Sequence, residues 1–256
     1  MSLTFAGSTT DKVTVTNPLT FGAGTEFTYD LWVKQDSAPA NAAGTNKGSN
    51  DLLVFFNNWF SNVIRATTDA NTVPSGGTVF PDANWTYLAI TYSEADGIRF
   101  FRGTLTTAPV ELGYASPRTV GSGNTAADSG DLYICNRGST GSNSPAHTIH
   151  SAQLSNTRLT LGQITARWRR SRNYANTVFR LSLGNNGTGT QPDLSGNGHS
   201  GTVTGATQTA NAPLPKSRRK IAYPYAIVAA GGSNLIPLLR QNMRGGYIQG
   251  GGYING

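Results

Sequence analysis

The sequence predicts an all-β protein: a two-sheet antiparallel sandwich with one short helix and an extended C-terminal arm. Three observations lead to this fold class. Short segments of alternating apolar and polar residues recur between turn residues up to residue 155, a single segment has helical periodicity, and the composition changes after residue 210. A chain of 256 residues with 37% hydrophobic content can bury one large core. We therefore place the sandwich at residues 1–210 and the arm at residues 211–256.

The strands are predicted from length, alternation and the turn residues around them. The predicted strands are residues 3–5, 13–15, 27–34, 52–56, 63–67, 85–93, 97–102, 132–135 and 148–155. In the third of these, Tyr29, Leu31 and Val33 share one face, which we expect to lie in the core. Trp85 is also expected to be buried. Residues 35–50 are mostly Ala, Asn, Gly and Ser, which predicts a long loop.

One helix is predicted at residues 160–171. Thr160 can cap the following turn, and Gln163 stands three residues later, where its side chain can reach back. Leu161, Ile164 and Trp168 then fall on one face, and we expect Trp168 to be buried.

Four segments carry a family resemblance. Residues 2–8 (SLTFAGS), 27–34 (FTYDLWVK), 84–93 (NWTYLAITYS) and 152–164 (AQLSNTRLTLGQI) resemble, in this order, strands and the short helix of laminin-G-like domains. These domains belong to the concanavalin A-like lectin/glucanase superfamily. The resemblance implies a jelly-roll sandwich that presents loops to glycans or protein surfaces and usually performs no chemistry.

A fifth segment, residues 192–206, resembles a turn found in many laminin-G-like proteins. Asp193 can accept hydrogen bonds from the amides that follow it, and Gly196 and Gly198 permit a positive φ. Asp193 and Asn197 are the candidate ligand-binding residues, for calcium or a glycan. The alternative is a purely structural turn, which we favour because calcium takes about six or more oxygen ligands and one carboxylate is too few. We therefore expect no cofactor. Ala6 stands where many relatives have Asp, which also weakens a calcium-dependent site.

The sequence does not predict an active site. Retaining glycosidases need two carboxyl groups roughly 5–5.5 Å apart, and the sole close Glu/Asp pair, Glu94 and Asp96, falls in a predicted hairpin turn. Cys135 is the one cysteine and lies in an apolar strand, so we expect a buried packing group. His147 and His150 would point to opposite faces of a strand, which disfavours a shared metal ion.

The net charge of +7 includes two clusters of basic residues. The first cluster, in the predicted helix, is Arg167, Arg169, Arg170 and Arg172; the second, in the arm, is Lys216, Arg218, Arg219 and Lys220. Neither exposed aromatic residues interleaved with this charge nor a known docking motif is evident, so an acidic protein or glycan is favoured over nucleic acid as the partner. No apolar run reaches the roughly 18 residues needed to cross a membrane.

The arm is predicted to dock on another subunit. A hexad occurs twice, at residues 245–250 (GGYIQG) and 251–256 (GGYING), and such a Gly-rich segment cannot build a core of its own. The residues predicted to contact a partner are Arg218, Arg219, Tyr223, Tyr225, Ile227, Arg244, Tyr247, Ile248, Tyr253 and Ile254. The alternative is a disordered tail.

Together, these expectations predict a non-enzymatic virion protein. No secretion signal is visible at residues 1–5, and a particle assembled in a host cytoplasm and released by lysis would carry such a module outside the cell. The resemblance implies a tailed bacteriophage, with the module present in multiple copies as a head decoration or cement protein or as a tail adhesin. Its partners would be capsid or tail subunits and a host-surface glycan. The alternatives are a free carbohydrate-binding module and a degenerate glucanase.

Overall fold

The computed structural model of the protein describes residues 1–20, 24–35, 42–47, 52–56, 65–68, 71–74, 84–93, 95–112, 130–136, 146–170 and 173–210. Their elements, in chain order, are β1 (Ser2–Ala6), β2 (Lys12–Val15), β3 (Phe27–Gln35), β4 (Ala42–Lys47), β5 (Leu52–Phe56), β6 (Arg65–Thr68), β7 (Asn71–Pro74), β8 (Trp85–Ser93), β9 (Gly97–Thr104), β10 (Val110–Glu111), β11 (Leu132–Ile134), β12 (Ala146–Ser155), α1 (Leu161–Arg170), β13 (Thr177–Ser182), β14 (Gly201–Thr204) and β15 (Ala206–Thr209).

The strands form two antiparallel sheets. Sheet A has the order β10-β9-β8-β3-β12-β1-β15, and β13 also pairs with β12. Sheet B has the order β14-β2-β11-β4-β5-β6-β7. Strands that are distant in the chain lie side by side in both sheets. The predicted two-sheet jelly-roll sandwich with one short helix is thereby confirmed for the described residues.

The main core lies between the two sheets. Tyr29, Leu31 and Val33 are fully buried in it, as predicted from the alternation in β3. Sheet B contributes the inward residues of β2 and β11, and the Thr45 hydroxyl of β4 donates a 2.8 Å hydrogen bond to the Tyr29 hydroxyl. Each fully buried aliphatic side chain contributes about 1.5–3 kcal/mol through the hydrophobic effect.

A second apolar cluster covers part of the outer face of sheet A. Its members are Trp32, Tyr87, Ala89, Phe101, Leu159, Ile164 and Trp168. Trp32, on the face of β3 opposite the main core, is only 2% exposed because α1 packs over it. The prediction that Trp168 is buried is confirmed. The prediction for Trp85 is wrong, because Trp85 is only partly buried at the margin of this cluster.

The helix begins as its sequence predicts. The Gln163 amide donates to Thr160 Oγ1 at 3.3 Å, and the Thr160 amide donates to Gln163 Oε1 at 2.9 Å, which forms a capping box. Of the three residues predicted to share a face, Ile164 and Trp168 are buried, whereas Leu161, the first residue of the helix, is 46% exposed. Arg167 lies on the buried face with Ile164 and Trp168.

The predicted loop at residues 35–50 is corrected by β4. Its sequence, AAGTNK, has a weak strand propensity, yet it pairs with both β11 and β5. Pairing on both edges outweighs local preference in such a strand. Among the described residues, no helix has the length and apolar character needed to span a membrane.

Candidate functional site

The predicted ligand residue Asp193 holds a turn together. Its Oδ1 accepts hydrogen bonds from the amides of Arg180 (3.0 Å) and Ser195 (2.8 Å). Its Oδ2 accepts from the His199 amide (3.0 Å) and the Ser195 hydroxyl (2.8 Å). Partial burial would by itself raise the pKa of this carboxyl group, but these hydrogen bonds favour the ionised form and lower the pKa below its usual value.

Asn197, the second predicted ligand residue, connects the same turn to β13 through hydrogen bonds. Its Nδ2 donates to the carbonyl oxygens of Thr177 (2.7 Å) and Val178 (3.0 Å). Gly196 and Gly198 have φ values of 93° and 85°, the positive values expected for this turn. Both carboxylate oxygens of Asp193 and the Nδ2 of Asn197 therefore serve the turn itself, and the use of these two residues as ligand contacts stays a prediction.

The basic cluster predicted in the helix is not wholly a surface feature. Arg167 is 1% exposed, and its Nη1 donates to Asp30 Oδ2 at 2.7 Å. Its Nη2 donates to Ser155 Oγ and to Thr177 Oγ1, and its guanidinium lies over the Tyr174 ring. Burial raises the pKa of Asp30, and the neighbouring Arg167 offsets only part of that rise.

This buried ion pair was missed by the sequence analysis. An acid in the middle of a core strand and an arginine on the apolar face of a helix were the available signals. Of the remaining predicted cluster, Arg169 and Arg170 are exposed, and Arg172 lies outside the described residues. The predicted arm, residues 211–256, also lies outside them.

Every carboxylate of the described residues makes a structural contact. Asp30 and Asp193 do so as described above. Of the others, Asp11 accepts from the amides of Ala6 and Ser8, Glu26 from the Arg158 amide, and Asp131 from the Asn17 amide, while Asp96 pairs with Arg99 and Arg158 and Glu111 pairs with Arg99. The hairpin predicted around Asp96 is confirmed by the pairing of β8 with β9. Glu94 lies outside the described residues.

Cys135, His147 and His150 are the residues that were considered as a nucleophile or as metal ligands. Cys135 is fully buried, as predicted, and burial raises the pKa of its thiol well above the usual value. His147 is fully buried, whereas His150 is partly exposed and its Nδ1 contacts the Ser2 hydroxyl at 3.3 Å. In the part of the chain that the structure describes, no group of three or more His, Cys, Asp or Glu residues could hold a metal ion.

The outer face of sheet B carries a polar surface that the sequence analysis did not identify. Thr202 of β14, Thr14 of β2 and Tyr133 of β11 are directly opposite one another in register. Lys12 and Thr204 form the next pair, and the Lys12 ammonium lies 4.9 Å from the centroid of the Tyr133 ring. We call these five residues the Tyr133 surface. All five are partly or fully exposed.

The hydroxyl groups of the Tyr133 surface have no hydrogen-bond partner among the described residues. The sequence signal was the pattern of β2, in which Lys12 and Thr14 alternate with the buried Val13 and Val15. The pattern does not show that Tyr133 lies beside them, because β11 is more than a hundred residues away.

Comparison with known proteins identifies the family. Residues 7–165, more than half of the chain, match the Laminin G 3 model of the concanavalin A-like lectin/glucanases superfamily. A candidate carbohydrate-binding protein from Bacteroides ovatus has a similar solved structure, with a TM-score of 0.60 and 14% identity over 84% of this chain and 62% of that one. This chain therefore spans less than two thirds of the Bacteroides protein.

Two further solved structures are more distant. A heptameric SAP-like pentraxin from Limulus polyphemus has a TM-score of 0.48 and 12% identity over 65% of this chain and 80% of that one. Domains LG4-5 of the mouse laminin alpha1 chain have a TM-score of 0.42 and 9% identity over 63% of this chain and 43% of that one. A search of curated proteins found no match. With the family model matching most of the sandwich, the chain belongs to the concanavalin A-like lectin/glucanase superfamily as a laminin-G-like domain.

Proposed function

We propose that this laminin-G-like domain is a non-catalytic carbohydrate-binding module. The family match carries the proposal, because the superfamily includes lectins as well as glucanases. The Bacteroides ovatus protein of similar fold, a candidate carbohydrate-binding protein, supports the same function class. Function depends on the site rather than the fold.

The carboxylates support a binding module rather than a glycosidase. Hydrolysis with retention needs one carboxylic acid as proton donor and a second carboxylate as nucleophile, free to reach the sugar from two sides. Asp30 is buried against Arg167, and both oxygens of Asp193 accept hydrogen bonds within its own turn. Asp96 is neutralised by two arginines. These three carboxylates therefore stabilise the fold.

A glycan array tests the proposal. The purified 256-residue chain should bind a restricted set of glycans, and incubation with those glycans should release no reducing ends. The Glu94→Gln variant should bind and behave like the wild type. Absence of binding to every glycan on the array would refute the proposal. Release of reducing ends that Glu94→Gln abolishes would instead support the glucanase alternative.

We further propose that the module is displayed on a bacteriophage particle through residues 211–256. The duplicated hexad with its Tyr and Ile residues supports this proposal, since such residues gain buried area only when a partner supplies a groove or a sheet edge. A chain ending at Ala210 should fold but should no longer co-sediment with particles, whereas the full chain should. Co-sedimentation of the shortened chain at the full-length level would refute attachment through the arm.

A further inference from the structure

We propose that the Tyr133 surface on the outer face of sheet B binds an acidic polysaccharide, with the Tyr133 ring stacking on a sugar and Lys12 pairing with a sugar carboxylate. The inference rests on the proposed carbohydrate-binding function and assigns it a site and a ligand class. Three features of the surface carry it: an accessible aromatic ring, unpaired hydroxyl groups and a single positive charge.

The aromatic ring is partly accessible to a ligand, with the Lys12 ammonium over one of its faces. Tyr133 is partly exposed and belongs to neither apolar cluster of the described residues. Its neighbours in register are Thr14 on β2 and Asn46 on β4, so no large apolar residue stands directly opposite it. The face of an aromatic ring carries negative charge density, and the C–H groups on one side of a pyranose ring pack favourably on such a face.

The hydroxyl groups supply polar contacts along a line. Thr14 and Thr202 are opposite each other on neighbouring strands, and their hydroxyls make no hydrogen bond within the described part of the chain. Each hydroxyl can donate one hydrogen bond and accept two. Strands lie about 4.8 Å apart, so Tyr133 and Thr202, two strands apart, are separated by roughly 10 Å. A disaccharide unit spans that distance, which favours a polymer over a single sugar.

The charge of the surface favours an acidic ligand. Lys12 is the one charged residue of the Tyr133 surface, and its ammonium lies over the Tyr133 ring, so it must move aside to pair with the carboxylate of a sugar stacked there. The adjacent carboxylate, Asp11, is 3% exposed and accepts the amides of Ala6 and Ser8, so it does not compete for Lys12. The net charge of +7 of the whole chain also attracts a polyanion.

Binding of polygalacturonate, alginate, hyaluronate and polysialate to the full chain tests the site. We expect at least one of these acidic polymers to bind. The Tyr133→Ala variant should weaken that binding about tenfold, which corresponds to the loss of one stacked contact. Lys12→Gln should weaken it roughly threefold and reduce its dependence on salt. The matched control is Arg169→Gln, which removes the same charge from the exposed end of α1 and should leave binding unchanged.

Two further probes separate recognition from simple charge attraction. Methyl-esterified polygalacturonate, which keeps the sugar rings and lacks the charge, should bind more weakly than the acid. Polyglutamate, which has carboxylates and no sugar rings, should not compete. Equal binding of polyglutamate, or an equal loss in Arg169→Gln and Lys12→Gln, would overturn the inference.

The outcomes also distinguish the site from the function. Glycan binding that survives Tyr133→Ala would overturn the site while leaving the carbohydrate-binding function intact. Binding that Tyr133→Ala removes, but only for neutral glycans, would overturn the ligand class. A chain that binds no carbohydrate of either kind would refute the proposed function and this inference with it. Thermal unfolding of each variant shows that a loss of binding is not a loss of fold.

Discussion

The outer faces of the two sheets both carry threonines and other polar side chains, but these side chains differ in their hydrogen bonding. On sheet A the polar groups are paired or covered: Thr4 and Thr148 share a 2.9 Å hydrogen bond, and the Thr28 hydroxyl donates to the Thr157 carbonyl oxygen and accepts from the Leu159 amide. On sheet B, the hydroxyls of the Tyr133 surface have no such partner among the described residues.

We interpret the outer face of sheet A as serving stability and the Tyr133 surface as serving recognition. The outer face of sheet A is covered in part by α1, and the polar side chains of Thr28 and Asp30 on that face are hydrogen-bonded within the protein. The hydroxyls of the Tyr133 surface make no hydrogen bond in the described part of the chain, so they can bond to a ligand. A polar strand residue is therefore a candidate contact only when its hydrogen bonds are unclaimed.

The largest expected effect lies beneath α1. Arg167→Ala leaves the Asp30 carboxylate buried without its partner, and the removal of one member of a buried ion pair costs about 3–5 kcal/mol of unfolding free energy. Chemical denaturation measures this cost. Arg169→Ala, two residues along the same helix and exposed, is the matched control; it removes only a cation–π contact with Trp168 and should cost no more than about 1 kcal/mol. Equal effects of the two substitutions would contradict the role of the ion pair.

The two tryptophans of the covered face should differ as their burial does. Trp32→Ala should lower the unfolding free energy by about 3–5 kcal/mol, because the ring is buried and packs against the Tyr87 ring in a tilted arrangement. Trp85→Ala should cost clearly less, since its ring is only partly buried. Urea titrations of both variants provide the comparison, and a larger loss for Trp85→Ala would mean that the cluster is assigned to the wrong residues.

The Asp193 turn should make the free energy of unfolding depend on pH in the acidic range. Because its pKa is lowered in the folded state, ionised Asp193 stabilises the fold above the ordinary Asp pKa, and this contribution is lost as the pH falls through the folded-state value. Asp193→Asn should therefore lose about 1 kcal/mol near neutral pH and lose little in acid. The measurement is the difference in melting temperature between variant and wild type across a pH series. A difference that does not shrink in acid would exclude this linkage.

The smallest effects are expected on the Tyr133 surface. Tyr133→Ala and Thr202→Ala should each change the unfolding free energy by no more than about 0.5 kcal/mol, because neither side chain fills a core or completes a hydrogen bond in the described structure. Differential scanning calorimetry checks this. A loss of several degrees in melting temperature would mean that the surface packs against the rest of the chain and is not open to a ligand.

The sequence predicted the local features well because each is encoded by neighbouring residues. The buried face of β3 follows from alternation, and the start of α1 follows from the spacing of Thr160 and Gln163. Alternation identifies residues that share a face, but it does not show whether something covers the opposite face. The burial of Trp32 and Asp30 depends on a helix some 130 residues later in the chain, so it could not be predicted from β3 itself.

The candidate sites divide in the same way. The Asp193 turn was recognisable because its glycines, its aspartate and the amides it binds lie within a few residues of one another, apart from the contact with Arg180. The Tyr133 surface depends on the pairing of β2 with β11 and β14, which are separated by more than a hundred residues from β2. That register is a property of the folded sheet. The short, weakly apolar strands β4 and β15 were missed for the same reason.

The position of β1 has a consequence for the synthesis of the protein. This strand lies between β12 and β15, which are made about 140 and 200 residues after it. At roughly 5–20 residues per second, the ribosome needs about ten seconds or longer to supply both neighbours. Until then the nascent chain exposes two unpaired strand edges, which are templates for association with other chains. Sheet A can therefore close only after β15 has left the ribosome, and chaperone dependence of the nascent chain should be greatest before residue 206 emerges.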